Sequence, residues 1–256
     1  MLKGKTALVT GSTSGIGLGL AKALAQQGAN IILNGFGDVA GPSAEVAALG
    51  VQVAYHGADM SKPAEIEDMM KFAAQRFDRV DILVNNAGIQ HVARIENFPL
   101  ERWDAVIAIN LCSAFHTTRL ALPAMQQANW GRIINLASVH GLVASAEKSA
   151  YVTAKHGLVG LTKVTALENA SSGVTCNAIC PGWVLTPLVQ KQIDAKATAW
   201  GCSAEEATKR LLSEKEPSMQ FTTPEDLGAL AVFLCSPAGN NVRGVAWNMD
   251  GGWAAQ

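Results

Sequence analysis

The sequence predicts an α/β fold, a single doubly wound domain built on a central parallel sheet with helices on both faces. Three observations predict it. Short apolar runs alternate along the whole chain with longer segments of helical periodicity. The runs are apolar enough to be covered on both faces, as parallel strands are. A glycine-rich turn follows the first run and opens the first helical segment.

Seven runs are predicted strands because they are short, apolar and bounded by glycine, proline or polar residues. They lie at residues 6–10, 30–33, 52–56, 82–85, 132–136, 175–179 and 245–249. Five longer segments have helical spacing of their apolar residues and lie at residues 17–27, 64–77, 100–127, 150–170 and 224–234. Because crossovers between parallel strands are right-handed, this alternation predicts a sheet of the Rossmann type.

Residues 187–224 interrupt the alternation. Two helical segments, 188–193 and 204–214, follow the sixth strand, where loops stand over the carboxyl ends of the sheet. We interpret this region as a small helical lid over a substrate. A surface excursion or a subunit contact is the alternative. Since no linker or repeat divides the chain, we expect residues 1–256 to form one domain.

Composition excludes several classes of protein. The chain has 256 residues, a formal net charge of -1 and no block of like charges, which argues against nucleic acid or an anionic membrane as partner. Its five cysteines are odd in number and form no CxxC pair, so we expect buried reduced thiols in a cytoplasmic protein and no metal site. No apolar run approaches the ~20 residues of a membrane helix.

Gly11, Gly15 and Gly17 form a GxxxGxG turn between the first strand and the first helix. Gly11 allows a tight turn, Gly15 removes a side chain where a cofactor backbone comes close, and Gly17 permits close helix–strand packing. The helix N-terminus offers free N–H groups and a positive dipole end to a pyrophosphate. Such a pattern can also be a structural turn, but its position predicts a dinucleotide site.

The end of the second strand indicates which dinucleotide binds. The chain there reads Leu-Asn-Gly-Phe-Gly over residues 33–37, without an arginine or lysine to meet a 2′-phosphate. Asp38 lies a little beyond the strand end, so we expect the ribose to meet main-chain groups around Gly35 and Phe36. Thr13 is uncharged as well. These features predict NAD rather than NADP.

Asp59 ends the third predicted strand. Its carboxylate has two possible roles that the sequence leaves open. It accepts a hydrogen bond from the adenine amine of the cofactor, or it caps the helical segment that follows.

Tyr151 and Lys155 are four residues apart and therefore lie one turn apart on one face of a helix. An ammonium beside a phenol stabilises the phenolate, so we expect Lys155 to lower the pKa of Tyr151. Ser138 follows an apolar run and brings a hydroxyl to the same point. The three side chains predict a site that moves a proton on and off an alcohol oxygen.

Together these motifs resemble the short-chain dehydrogenase/reductase family over essentially the whole chain. The motifs are residues 10–17, 85–88 and 151–155, with Asn110, Ser138, Pro181, Gly182 and Thr186. The resemblance implies a catalytic tetrad of Asn110, Ser138, Tyr151 and Lys155, and a homotetramer. Tyr151 would be the general base in alcohol oxidation, Lys155 would also bind the nicotinamide ribose, and Asn110 would hold a water. The implied cofactor-binding residues are Gly11, Thr13, Gly15, Ile16, Gly17, Phe36, Asp59, Asn86, Gly88, Tyr151, Lys155, Pro181, Gly182 and Thr186.

Within that family the chain is most similar to the branch that oxidises 3-hydroxybutyrate, on residues 85–91, 137–145, 148–151 and 180–184. That similarity implies NAD-dependent, reversible oxidation of (R)-3-hydroxybutyrate to acetoacetate. It places a cation and three hydrogen-bond donors around the substrate carboxylate, with a tryptophan on the wall. The implied substrate-binding residues are Gln90, Ser138, His140, Lys148, Tyr151, Trp183 and Gln192.

Alternatives accompany these expectations. His140, Lys148 and Gln192 are also compatible with ordinary loop or solvated roles, and we interpret Trp253 as a packing residue. Val139 and Leu185 stand where the branch is expected to have alanine and arginine, which predicts a shift in substrate range or rate. A 3-oxoacyl thioester reductase of the same family and a non-catalytic NAD(H)-binding protein are the competing functions.

Overall fold

The computed structural model describes residues 1–255. The sequence leaves open whether a metal ion binds near Gln256, and that residue lies outside the described range. Seven strands form one parallel sheet in the order β3-β2-β1-β4-β5-β6-β7, so the predicted doubly wound Rossmann-type domain is confirmed. The predicted strand bounds hold to within one or two residues. The strands are β1 Thr6–Val9, β2 Asn30–Asn34, β3 Val53–His56, β4 Ile82–Asn85, β5 Gly131–Leu136, β6 Val174–Pro181 and β7 Ala246–Met249.

The helices cover both faces of the sheet. One of them, α2, was not predicted, because it is short and buries only Pro42 and Val46, too few for a periodic apolar pattern. The helices are α1 Gly15–Gln26, α2 Ala40–Ala47, α3 Pro63–Phe77, α4 Leu100–Ile107, α5 Ser113–Gln127, α6 Ser149–Glu168, α7 Pro187–Trp200, α8 Ala204–Ser213 and α9 Pro224–Cys235.

The core has two layers because successive strand residues point to opposite faces. Val9 of β1 lies in the cluster that contains Leu20 of α1 and Leu227 of α9. Leu8, its neighbour in the chain, lies in the other cluster, with Met69 of α3. All five side chains are fully buried. The inner strands are therefore covered on both faces, as the sequence predicted, whereas the edge strands β3 and β7 stay partly exposed.

The predicted helix at residues 100–127 is interrupted. Between α4 and α5 it has a π-helical turn, Ala108–Cys112, which holds Asn110. An 18-residue window within Leu100–Gln127 has a mean hydropathy of 1.3, so this segment passes a membrane-span test by length and composition alone. It is not an unbroken apolar run of about 20 residues, because charged and polar residues interrupt it. In the fold, α5 packs on the sheet: Met125 is fully buried, and Thr117 Oγ1 donates to Asn85 Oδ1 at 2.6 Å.

Residues 187–224 contain two helices, as predicted, although α7 is longer than its predicted segment. α7 begins after Thr186, whose Oγ1 accepts a hydrogen bond from the N–H of Val189 at 3.3 Å. It packs on α8 through Ile193 and Leu211, both buried. The movement expected of this lid stays a prediction.

The cysteines only partly follow the expectation. All five are free, and three of them, Cys176, Cys180 and Cys235, are buried thiols. Cys112 is exposed, because it lies at the end of the π-helical turn on the outer face of the helix.

Candidate active site

A cavity of about 1000 Å³ lies at the carboxyl ends of the central strands. Most of the predicted site residues line it: Gly11, Gly15, Ile16, Gly17, Asn86, Gly88, Gln90, Ser138, His140, Lys148, Tyr151, Lys155, Pro181, Gly182, Trp183, Thr186 and Gln192. Four others lie outside its lining: Thr13, Phe36, Asp59 and Asn110. The sheet brings the first group together because its parallel strands all end at this edge.

The glycine turn forms one side of the cavity. Gly11 has φ +61°, and a Cβ there would lie 2.9 Å from the Cα of Ala87. A Cβ at Gly17 would collide with the carbonyl oxygen of Gly11. Asn86 Nδ2 donates to that carbonyl at 2.9 Å and holds the turn. Ser14, at the start of α1, makes no side-chain cap hydrogen bond, so the first N–H groups of the helix are free to bind an anion. This cradle fits a pyrophosphate.

Two carbonyl oxygens of the loop after β2 accept hydrogen bonds from neutral hydroxyl groups. Thr13 Oγ1 donates to the Phe36 carbonyl at 2.7 Å, and Tyr55 Oη donates to the Gly35 carbonyl at 2.7 Å. Buried Asn34 donates through its amide to two carbonyl oxygens of the chain after β3. Thr13 and Phe36 are therefore in contact with each other, and neither lines the cavity.

Asp59 lies in the turn before α3. Its Oδ1 accepts hydrogen bonds from both the N–H and the hydroxyl of Ser61, at 2.9 and 2.7 Å. These bonds, with Lys62 at 3.6 Å, lower the pKa of Asp59. The contacts form a local turn and do not cap α3, whose N-cap is Lys62 without a side-chain cap hydrogen bond. The capping alternative is therefore not confirmed. The adenine contact stays a prediction.

The Ser–Tyr–Lys group is buried and lies between β5 and α6. Ser138 follows β5, and its Oγ accepts a hydrogen bond from the N–H of His140 at 3.1 Å. Tyr151 and Lys155 lie one turn apart on α6. Lys155 Nζ lies 5.6 Å from the ring centroid of Tyr151 and donates to the carbonyl of Leu136 at 2.6 Å.

The pKa of Tyr151 differs from the sequence expectation. Burial raises the pKa of the phenol, and only the hydrogen bond with Ser138 acts to lower it. Burial also lowers the pKa of Lys155 to about 8. The lysine does not offset the desolvation of the tyrosine, because its ammonium is itself desolvated and is directed at the Leu136 carbonyl.

Asn110 binds backbone rather than lining the cavity. It is 2% exposed, accepts a hydrogen bond from the N–H of Ile89 at 2.8 Å and donates to the Ile89 carbonyl at 2.9 Å. The π-helical turn places Asn110 against the segment that follows β4, and such turns often occur near functional sites. Asn110 therefore positions the segment that carries Gln90. Its water-binding role stays a prediction.

The other end of the cavity is positively charged. Lys148 stands at the start of α6, beside His140, with Gln90 and Gln192 on the same lining. Burial and the charges of Lys148 and Lys215 lower the pKa of His140 to about 4, so the ring is neutral at neutral pH. Burial and Lys215 also lower the pKa of Lys148.

Neither lysine has a counter-ion among the residues that the structure describes. Within residues 1–255, Lys148 and Lys215 form no ion pair with a carboxylate within 4.0 Å. The positive charges of Lys148 and Lys215, which together lower the pKa of His140, favour the binding of an anion near them. This end of the cavity is therefore suited to a carboxylate.

Lys215 and Trp253 were not predicted as residues of the site. Trp253 lines the cavity, and its ring lies 5.2 Å from that of His140 between centroids. The interpretation of Trp253 as a packing residue is incomplete, since it packs and also faces the cavity. Its position just beyond the last strand was a usable signal. Lys215 carried none, because an exposed lysine after an amphipathic helix is common.

The two departures from the branch pattern lie in different places. Val139 is 1% exposed and lines the cavity directly beside Ser138. Leu185 is 40% exposed and donates its N–H to the Thr222 carbonyl at 3.0 Å. Only Val139 is placed to change the space around a substrate.

A parallel sheet with a glycine turn before α1 and a buried Ser–Tyr–Lys group above it defines a dinucleotide-dependent oxidoreductase. The chain matches the short chain dehydrogenase family over residues 5–197 and belongs to that family. The alternative of a non-catalytic binding protein is thereby excluded.

Its relatives are similar over their full length. The chain is 72% identical over 258 aligned positions to the D-beta-hydroxybutyrate dehydrogenase of Cupriavidus necator, covering 100% of both chains. It is 54% identical to that of Rhizobium meliloti, covering 98% of this chain and 99% of the relative.

Solved structures agree with the fold. An actinorhodin polyketide ketoreductase variant with NADPH is 33% identical, with a TM-score of 0.92 and 100% of both chains covered. The L-sorbose reductase of Gluconobacter frateurii with NADPH and L-sorbose is 29% identical, with a TM-score of 0.95 and 100% and 98% of the chains covered. Nicotinamide cofactors are thus bound by structures of this kind.

Proposed function

We propose that this enzyme oxidises (R)-3-hydroxybutyrate reversibly to acetoacetate, with NAD as hydride acceptor. The observation that carries the proposal is the juxtaposition, in one cavity, of an acid/base group and Lys148, which has no counter-ion among the described residues. Lys215 lies outside the cavity lining, and its charge lowers the pKa values of Lys148 and His140. A short hydroxy acid fits both ends, because it has one carbinol to oxidise and one carboxylate to anchor. The names of the two relatives support the same substrate.

NAD is supported by the loop after β2. Its carbonyl oxygens accept hydrogen bonds from Thr13 and Tyr55, which carry no positive charge to pair with a 2′-phosphate. The nearby cation Lys22 is engaged with Glu45 at 2.9 Å. The N-terminus of α1 would hold the pyrophosphate, and residues around Phe36 would meet the ribose.

Three side chains would handle the alcohol. The Ser138 hydroxyl donates to the C3 oxygen, and Tyr151 takes the hydroxyl proton during oxidation and returns it during ketone reduction. A nicotinamide held at the glycine turn would supply the acceptor for the hydride from C3. The raised pKa of Tyr151 keeps the phenol protonated at neutral pH, which suits reduction. Lys155, 5.6 Å from the ring, supplies the positive charge that supports the phenolate in oxidation.

Four side chains would hold the substrate carboxylate. Lys148 supplies the charge, while neutral His140 with Gln90 and Gln192 donate hydrogen bonds. Gln192 lies on α7. We therefore expect closure of α7 and α8 to complete the anchor and to exclude water before hydride transfer.

We also propose that the enzyme is a cytoplasmic homotetramer. Four large apolar side chains on α4, α5 and α6 are exposed, which favours their burial between subunits. They are Leu100 at 80%, Phe115 at 48%, Val164 at 52% and Leu167 at 75%.

The test is NADH formation with NAD and, in separate assays, (R)-3-hydroxybutyrate, its (S) enantiomer and the (R) methyl ester. Turnover of the (R) acid alone supports the carboxylate anchor and the assigned stereochemistry. Turnover of the ester and not the acid would overturn the substrate and favour the thioester reductase, whose substrates lack a free carboxylate. A parallel assay with NADP should give a much lower kcat/KM than NAD.

A further inference from the structure

Glu216 is a buried carboxylate that the proposed chemistry does not use. It follows α8 and is 1% exposed. Its Oε1 accepts a hydrogen bond from the N–H of Trp183, a residue of the cavity wall. Its Oε2 has no hydrogen-bond partner in the part of the chain that the structure describes. A buried anion with one unsolvated oxygen is unfavourable, so this site favours the neutral acid.

The carboxyl group of Glu216 joins two segments that border the cavity. A Cβ at Gly182 would collide with Oε1, and a Cβ at Gly251 would lie 3.2 Å from Oε2. Ser218 ties the same junction through its N–H, which donates to the Gly251 carbonyl at 3.0 Å. Glu216 therefore lies between the wall segment 181–184 and the C-terminal loop 249–254, which contains Trp253 of the cavity.

Asp250 faces Glu216 from the C-terminal loop. Its carboxylate accepts hydrogen bonds from Asn248 Nδ2 at 3.3 Å and from the N–H groups of Gly252 and Ala254 at 3.1 and 2.9 Å. Three donors stabilise the negative charge of Asp250, whereas Glu216 has a single donor. Of the two carboxyl groups, Glu216 is thus the one that binds a proton.

The other segments around Glu216 add little charge. Residues 181–184 contain no ionisable side chain, and the neighbouring cation Lys215 lies over the Trp253 ring, 5.9 Å from its centroid. Burial raises the pKa of Glu216 to about 7; the Trp183 N–H opposes this shift and Asp250 adds to it. The proton therefore leaves within the range in which the enzyme is assayed.

We propose that Glu216 is a positioning residue whose neutral acid form holds the wall segment and the C-terminal loop in the arrangement that binds substrate. Loss of its proton to solvent places a second negative charge beside Asp250 and loosens both segments. Trp183 and Trp253 then close less well on the hydroxy acid, so KM rises while the acid/base group is untouched. The effect on KM rests on the proposed function, but the effect on stability does not.

Glu216→Gln tests this, because the amide keeps the shape and the acceptor for the Trp183 N–H but cannot ionise. Glu214→Gln is the matched control, since it removes the same charge from an exposed position two residues away. We would measure KM and kcat for (R)-3-hydroxybutyrate at saturating NAD from about pH 6 to about pH 9. Lys148, His140 and Tyr151 are present in the wild type, in E216Q and in E214Q. A difference between the pH profiles of KM therefore reports on the ionisation of Glu216.

The expected result is a KM that rises with pH about threefold to tenfold more in the wild type and E214Q than in E216Q, with similar kcat values. A KM raised by the same factor at every pH in E216Q would indicate a merely structural role and overturn the proposal. Parallel pH profiles in all three proteins would overturn it as well.

A second measurement needs no substrate. The urea midpoint of unfolding should fall from about pH 5 to about pH 8 in the wild type and E214Q relative to E216Q, because the unfolded chain ionises its carboxyl group at a lower pH than the folded chain. Equal pH dependence of the midpoints would refute the proposal. If none of the proteins oxidised 3-hydroxybutyrate, the proposed function would fail, and this measurement would still decide the state of Glu216.

Discussion

Replacing Lys148 by methionine should weaken substrate binding much more than chemistry. The substitution keeps most of the length and apolar volume of the side chain and removes its charge. Lys148 stands at the start of α6, and the role proposed for its ammonium is to bind the substrate carboxylate and not the reacting carbon. An interaction with a distant carboxylate is equally strong in the ground state and the transition state, and its loss therefore raises KM and leaves kcat nearly unchanged.

The magnitude follows from the surroundings of Lys148. It forms no ion pair with a protein carboxylate in the described chain, so the full charge is available to the substrate. A hydrogen bond to a charged group contributes about 1.5–3 kcal/mol. The side chain is partly buried and its pKa is lowered by burial, which limits screening by water. Taking about 2 kcal/mol gives a rise in KM of about 30-fold.

The assay is steady-state NADH formation at saturating NAD with varied (R)-3-hydroxybutyrate. Lys209→Met is the control, because Lys209 is an exposed lysine of α8 that pairs with Glu205 at 2.9 Å, and its loss should leave KM unchanged. An unchanged KM in the Lys148 variant would remove this residue from the anchor. A large fall in kcat at constant KM would refute the assignment of its role to ground-state binding.

Three further predictions concern other parts of the site. Tyr151→Phe should lower kcat by about 10³-fold, because it removes the proton acceptor, while NADH affinity measured by fluorescence stays near normal; near-normal turnover would exclude the proton-transfer role. Lys215→Gln should lower kcat/KM for the anionic substrate by about twofold to fivefold at low ionic strength, and the difference should vanish in about 1 M salt if Lys215 acts through its field; a salt-independent loss would contradict that. His140, whose pKa is lowered to about 4, stays neutral while the unfolded chain protonates below about pH 6.5, so its contribution to stability is complete above that pH and is lost as pH falls toward 4. The urea midpoint of His140→Gln should therefore fall less than that of the wild type between those values, and equal slopes would show that His140 does not carry the acid sensitivity.

Much of the fold was predictable because its information is local. The strands are short, mostly apolar runs, and burial of the inner strands on both faces makes those runs stand out from their surroundings. The lid helices were predicted in place, but α7 extends beyond its predicted end to Trp200 because its second half is largely exposed and has no apolar pattern. The π-helical turn at Ala108–Cys112 was not predictable, since it changes the hydrogen bonding of a helix without changing its periodicity enough to notice.

The site was predictable to a different degree at its two ends. The turn at Gly11 and the pair Tyr151 and Lys155 have spacings that local geometry requires, so the chemistry they perform follows from the chain itself. The pKa of Tyr151 was predicted in the wrong direction, because it depends on how much water the folded cavity removes from the phenol.

The sequence by itself determined the doubly wound sheet, the dinucleotide turn and the Ser–Tyr–Lys group, because each depends on residues close together in the chain or on periodic apolar patterns. Only the tertiary structure decided that Trp253 lines the cavity beside His140, that Lys215 lies over the Trp253 ring, and that Glu216 is a buried acid beside Asp250. Burial and the fields of distant charges arise when segments far apart in the chain are packed together, and no local pattern of residues encodes them.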